Sequence, residues 1–114
     1  MSVRVIVRNM RIAILNAYAP TQSSKSDAAK ISFYSALTKA KEELDQKPKY
    51  KVITLGDFNA TISSHSSDYG SWDTILGHNN TDKVNTNTNG QRLLTWCLQN
   101  RMKLTLFRRG YFFL

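Results

Sequence analysis

The sequence predicts an α/β domain, and three observations predict it. Two apolar, β-branched stretches, "VRVIV" (3–7) and "RIAILNAY" (11–18), are parted only by Arg8, Asn9 and Met10. A long segment with apolar residues at helical spacing follows, and "KVITL" (51–55) then returns to a strand pattern. The resulting order, ββαβ–loop–αβ, interleaves strands and helices as α/β proteins do.

The first strand alternates and is β-branched, while the second is more continuously apolar and is expected to be more buried. The tight turn between them makes a hairpin. Ala19-Pro20-Thr21 ends the second strand, because proline cannot donate to a sheet ladder. "TQSSKSD" (21–27) is turn-rich, and Ser24 or Ser26 is placed to cap a helix from Asp27 to Gln46. Phe33, Leu37, Ala40 and Leu44 form its apolar stripe, widened by Ile31 and Tyr34. Lys39, Lys41, Glu42, Glu43 and Lys47 fall largely off the stripe. Pro48 forbids continuation of the helix. After Asn59 the pattern disappears for about thirty residues rich in Ser, Thr, Asn, Asp and Gly, anchored by Tyr69, Trp72, Ile75 and Leu76. A second helix is expected from about Asn89-Gly90, with Leu94, Cys97 and Leu98 on one face, and "MKLTLF" (102–107) reads as the last strand.

The chain has 114 residues, enough for one small domain. Its 16 Lys and Arg against 8 Asp and Glu leave a net charge of +8. That excess suits a polyanionic partner, nucleic acid first, although a merely soluble basic domain has the same balance. No run approaches the roughly 18 apolar residues of a membrane helix. Arginines interrupt every apolar stretch of the amino terminus, so no signal peptide is expected. Cys97 is the single cysteine, which excludes an internal disulfide and makes an intracellular location, nucleus or cytoplasm, the expectation.

The stretch that carries chemistry is "GDFN" (56–59), at the mouth of the third strand. Strand alternation would project Asp57 and Asn59 together and turn Phe58 into the core. A carboxylate so placed accepts a proton from water or holds a hard cation, and the amide supports a phosphate or the carboxylate itself. An Asx turn explains the same residues without function.

"LNAYAPT" (15–21), "LGDFNA" (55–60) and "NTNGQRLLTWC" (87–97) occur in that order. Together they resemble the endonuclease/exonuclease/phosphatase family, the deoxyribonuclease-I-like phosphodiesterases, and within it the endonuclease domain of non-LTR retrotransposons. The resemblance spans roughly residues 11 to 107. It implies the central portion of a four-layered α/β sandwich, two sheets face to face with helices outside, and a single partial domain over 1–114. It implies cleavage of phosphodiester bonds, with DNA as the partner and Mg2+ as the cofactor of the complete domain. By motif, Asp57 would activate or orient the attacking water, Asn59 would support the scissile phosphate and that aspartate, and Tyr18 would reach the phosphate with its hydroxyl. In-line attack on phosphorus needs a positioned water, charge stabilisation and a cation, which agrees with these roles.

Other candidates have two readings each. Tyr18 is otherwise a strand aromatic packed on the helix. Asn87 and Asn89 could touch a nucleic-acid backbone or cap the second helix. Trp72 pins the loop or stacks on a base. His65 and His78 are polar-loop residues, and Cys97 is core.

The chain departs from the family's pattern in its carboxylates. Glu42 and Glu43 are the only glutamates, they belong to no motif, and no Asp or His follows Asp82. The expected metal-binding glutamate and terminal Asp-His pair therefore have no counterpart, and the metal ligands are unknown. "LFRRGYFFL" replaces the expected continuation, which reads as truncation. The expectation is a domain incomplete at both ends and inactive by itself. The competing reading is a basic, non-catalytic nucleic-acid-binding module with a cationic band of Lys39, Lys41, Lys47, Lys49 and Lys51. A phosphatase of the same superfamily is a third.

Overall fold

The structure is a computed structural model, and it describes residues 2–23, 26–46, 50–62, 86–107 and 111–113. Among the described residues the chain is mixed α/β, with two helices and five strands in one sheet.

Strands β1 (Ser2–Val7) and β2 (Met10–Tyr18) form the expected hairpin, Val7 facing Met10 across a turn made by Arg8 and Asn9. Helix α1 (Asp27–Asp45) carries the chain back along the sheet, so that β3 (Lys51–Asp57) lies parallel to β2. A parallel neighbour requires such a crossover, and the helix pattern between residues 27 and 45 supplies it. Ser26 is the N-cap, its hydroxyl accepting from the Ala29 N–H. Helix α2 (Thr88–Gln99) follows, then β4 (Thr105–Phe107) and β5 (Tyr111–Phe113). The sheet order is β1-β2-β3-β5-β4, with every pair antiparallel except β2 and β3.

Three expectations are corrected here. The final strand does not run over residues 102–107: Leu104 makes one bridge and β4 begins at Thr105, because the chain from Asn100 to Lys103 is still leaving α2. It is not the last strand either, since β5 inserts between β3 and β4. The apolar "YFF" thus continues the sheet along the free edge of β3. The face of α2 is also shifted. Leu93, Leu94, Trp96 and Cys97 are buried, whereas Leu98 is exposed. The loop anchors Tyr69, Trp72, Ile75 and Leu76 lie outside the described residues.

One face of the sheet holds the core. Ala13 and Leu15 of β2 pair in register with Val52 and Thr54 of β3, and all four pack with Leu37, Leu44, Phe58, Leu93, Leu94 and Cys97 or are buried beside them. The stripe on α1 is as expected except that Ile31 is exposed and Lys30, one turn before Phe33, is buried. Trp96 closes the helix layer by donating its indole N–H to the Thr38 hydroxyl, 2.9 Å away, which puts α2 beside α1. Each fully buried side chain of this kind contributes about 1.5–3 kcal/mol.

The opposite face differs. Val3 and Val5 pair with Ile14 and Ile12, and those with Ile53 and Leu55 nearby, as register requires. This face is apolar, yet Val3, Val5 and Met10 are exposed and the isoleucines only half-buried. Neither described helix covers it.

Candidate functional site

The parallel pair of strands ends at one place. Tyr18, the last residue of β2, is in register with Asp57, the last residue of β3. The Ala19 N–H donates to the Asp57 carbonyl at 2.8 Å, which extends the pairing one step beyond the strands. Gly56 permits this approach. Its φ is +149°, which L-residues rarely adopt, and a Cβ there would collide with the Ala17 carbonyl oxygen.

Beyond Asp57 the strand stops. The Asp57 Oδ1 accepts the Asn59 N–H at 2.8 Å, an Asx turn, and Asn59 has φ of 47° in the left-handed region. Asp57 and Asn59 therefore do not emerge side by side from a strand, because the left-handed residue breaks the alternation. Phe58 does point inward and is fully buried. The functional and turn readings of "GDFN" coincide in one geometry: the turn holds the carboxylate in place and leaves its Oδ2 without a partner among the described residues.

Three asparagines then fasten this end of the molecule. Asn59 donates its amide to the Ala19 carbonyl at 2.7 Å. Asn89 donates its amide to the carbonyls of Pro20, at 3.1 Å, and of Asn59, at 2.9 Å. Asn87 caps α2, its Oδ1 accepting from Gly90 N–H at 2.7 Å and from Thr61 N–H at 3.1 Å. The loops after β2 and β3 are thus tied to each other and to the start of α2. Gly90 is required for the same reason, since a Cβ there would meet the Thr61 carbonyl oxygen.

The nucleic-acid expectation for Asn89 is corrected by its burial. It is 3% exposed and its donors are taken by loop carbonyls, so it is a clamp inside the protein. Asn87 takes the capping role that was one of its two readings. Tyr18 does not pack against the helix: it is 72% exposed, on the face away from α1. Trp72, His65, His78, Lys47 and Lys49 lie outside the described residues. Cys97 is buried and free, and burial pushes its thiol up to about 12. Burial likewise raises the Tyr34 hydroxyl, with the Cys97 thiol adding to the rise and the Arg92 guanidinium opposing it.

Two residues of the clamp had not been singled out. The Gln22 Oε1 accepts the Asn89 N–H at 3.2 Å, and the Gln22 carbonyl accepts from the buried Lys30 ammonium at 3.2 Å. Lys30 was findable, because it continues the spacing of Phe33, Leu37, Ala40 and Leu44. Nothing local marks Gln22. The Asn89 Oδ1 is buried without a hydrogen-bond partner, an arrangement that costs about 1–3 kcal/mol and that the two donated bonds offset.

A hard cation such as Mg2+ fits these residues poorly. Asp57 supplies one carboxylate, and no group of three or more His, Cys, Asp or Glu stands together among the described residues. Glu42 and Glu43 are exposed near the carboxy-terminal end of α1, which the crossover places at the opposite end of the strands from Asp57. No helix of the described residues is long and apolar enough to cross a membrane. Compared with known proteins, the chain matches no family model, no curated protein and no solved structure.

Proposed function

We propose that this chain is part of a metal-dependent phosphodiesterase domain of the endonuclease/exonuclease/phosphatase type that nicks DNA, with Asp57 and Tyr18 facing the scissile phosphate. The observation that carries the reading is the register of Tyr18 with Asp57 at the ends of adjacent parallel strands. Ligands of open α/β sheets bind at such carboxyl ends. Among the described residues one Asp57 oxygen is left to accept from a water, and the turn N–H holds the other. The exposed Tyr18 hydroxyl is available to donate to a phosphate oxygen on the same side. Asn59 acts chiefly as a positioning residue. Its N–H orients the carboxylate and one of its amide hydrogens holds the neighbouring loop.

The open apolar sheet face supports the finer architecture. A second sheet laid on Val3, Val5, Ile12, Ile14, Ile53 and Leu55 would make the four-layered sandwich of that family and remove an exposed patch that a monomer rarely tolerates. Asp57 is the one carboxylate at the strand ends among the described residues, which supports the reading that the 114 residues are inactive by themselves. The second reading, a non-catalytic nucleic-acid-binding module, is favoured by that same shortage of carboxylates.

A plasmid-nicking assay with magnesium separates the two. It compares the 114-residue chain, a version extended by the flanking reading frame, and the extended Asp57→Ala protein. Nicking by the extended wild type alone supports the nuclease. Nicking by the 114-residue chain would contradict the stated shortage of ligands, and equal activity of extended wild type and Asp57→Ala would contradict the site.

A further inference from the structure

The far end of the sheet carries a second feature, at the turn between β1 and β2. Arg8 and Asn9 both have positive φ, 44° and 66°. Two consecutive left-handed residues are the turn that best matches the twist of a two-residue hairpin. Asparagine suits it. Arginine does not, because its Cβ is crowded in that region, so Arg8 is held at the tip in a conformation its side chain disfavours. Residues kept in such conformations are candidates for a role outside packing.

Its neighbours share its charge. A depression of about 640 Å³ is lined by Ile6, Arg8, Asn9, Met10, Arg11 and Lys51. Lys51 opens β3 and is in register with Ile12, which sets it across from the residue following Arg11. Three cations from two strands and one turn thus surround a single hollow, and no carboxylate is among the described residues that line it. The ion pairs of the described residues, Lys41 with Asp45 and Arg92 with Asp27, leave all three out. Arg4, the next cation along β1, is occupied differently, its guanidinium lying 5.6 Å from the centre of the Tyr50 ring.

We infer that this hairpin end, through Arg8, Arg11 and Lys51, is a contact surface for the phosphate backbone of nucleic acid, separate from the Tyr18–Asp57 site. The inference rests on the nucleic-acid reading above and adds where the polymer is held. Guanidinium forks match phosphate oxygens in pairs, and two of the three cations are arginines. A lipid surface is the competing polyanion. It is disfavoured because none of the described lining residues is a Trp or Tyr, the residues that settle at a membrane interface. Met10 and Tyr18 are the two ends of β2, so at about 3.3 Å per residue the two surfaces stand roughly 26 Å apart. Substitution at one therefore leaves the other intact.

The test is the salt dependence of binding to a fluorescein-labelled DNA duplex, read by anisotropy in EDTA so that no cleavage intervenes. Each phosphate contact contributes about 0.9 to the slope of log affinity against log salt. The Arg8→Ser/Arg11→Ser/Lys51→Ser protein is expected to lose about 2 to 3 from that slope, and the Arg8→Lys/Arg11→Lys protein to keep it. Circular dichroism confirms that the variants are folded. An unchanged slope in the triple variant overturns the inference alone. So does a loss of binding to phosphatidylserine vesicles while duplex binding persists. Failure of the wild type to bind duplex overturns both this inference and the nucleic-acid reading, whereas duplex binding by the extended protein that does not nick in magnesium overturns only the catalytic part of that reading.

Discussion

The two ends of the β2–β3 pair are built in opposite ways. At the carboxyl end the carboxylate and amide side chains are tied to backbone groups. Asp57, Asn59, Asn87 and Asn89 bond to backbone groups of three separate segments, and buried Lys30 joins through Gln22. At the amino end, Arg8, Arg11 and Lys51 gather round a hollow with no counter-charge among the described residues. The first arrangement fixes atoms to within a hydrogen bond, as positioning chemistry requires. The second fixes only a field, as electrostatic capture of a polyanion requires. The contrast teaches that charge and precision are separated along one pair of strands.

The sharpest way to break the contrast is at Gly56. Gly56→Ala places a methyl against the Ala17 carbonyl in a backbone conformation that alanine avoids. Strain of this kind is expected to cost about 3 kcal/mol or more, enough to unfold a marginal domain. Thermal unfolding followed by circular dichroism measures it. An alanine protein as stable as wild type would show that the strands do not approach as described.

Asn89→Ala comes next. It leaves the carbonyls of Pro20 and Asn59 without their shared donor, and an expected loss of about 2 kcal/mol follows from the usual penalty for unpaired buried groups. In urea titration the midpoint falls while the slope stays the same. If Asn89 were a surface contact, the midpoint would not move.

Alkaline pH tests the core behind the site. Burial raises the Cys97 thiol to about 12, so the folded state keeps its proton after the unfolded chain, with an ordinary value near about 8.5, has lost it. The contribution is complete below that unfolded value and disappears as pH rises toward 12. Stability is therefore expected to fall across that window by at most about 1.4 kcal/mol per pH unit from this group, and Tyr34 adds to the fall in its upper part. In Cys97→Ala the slope between pH 9 and 10 flattens. An unchanged slope would mean the thiol titrates normally.

Tyr18→Phe should have the smallest effect on stability, within about 0.5 kcal/mol, because the ring is 72% exposed and its hydroxyl has no partner among the described residues. In the extended protein the same change should lower nicking at least tenfold. A stability loss with unchanged nicking would return Tyr18 to a packing role.

Much of this was legible in the sequence. The hairpin, α1 with its Ser26 cap, the buried stripe and the inward Phe58 follow from periodicity and caps, which are local signals. Asn59 was misplaced for a physical reason. Period-two alternation holds only while the strand continues, and Gly56 and Asn59 both leave that conformation. The burial of Asn89 had a signal that its polarity hid, since it stands four residues before Leu93 and eight before Cys97 on the buried stripe of α2. Strand β5 had none, because its place between β3 and β4 depends on pairing between distant segments. The partner of Lys30 was hidden for the same reason: Gln22 matters through its fold position alone.

The central claim is that the Asn59 backbone holds the Asp57 carboxylate beside Tyr18. Amide hydrogen exchange at Asn59 tests it most directly. The Asn59 amide is expected to be protected in the wild type and to lose that protection in Asp57→Ala, while the Ala19 amide, bonded to the Asp57 carbonyl, stays slow in both. Equal exchange at Asn59 in the two proteins, with Ala19 still protected, would contradict it.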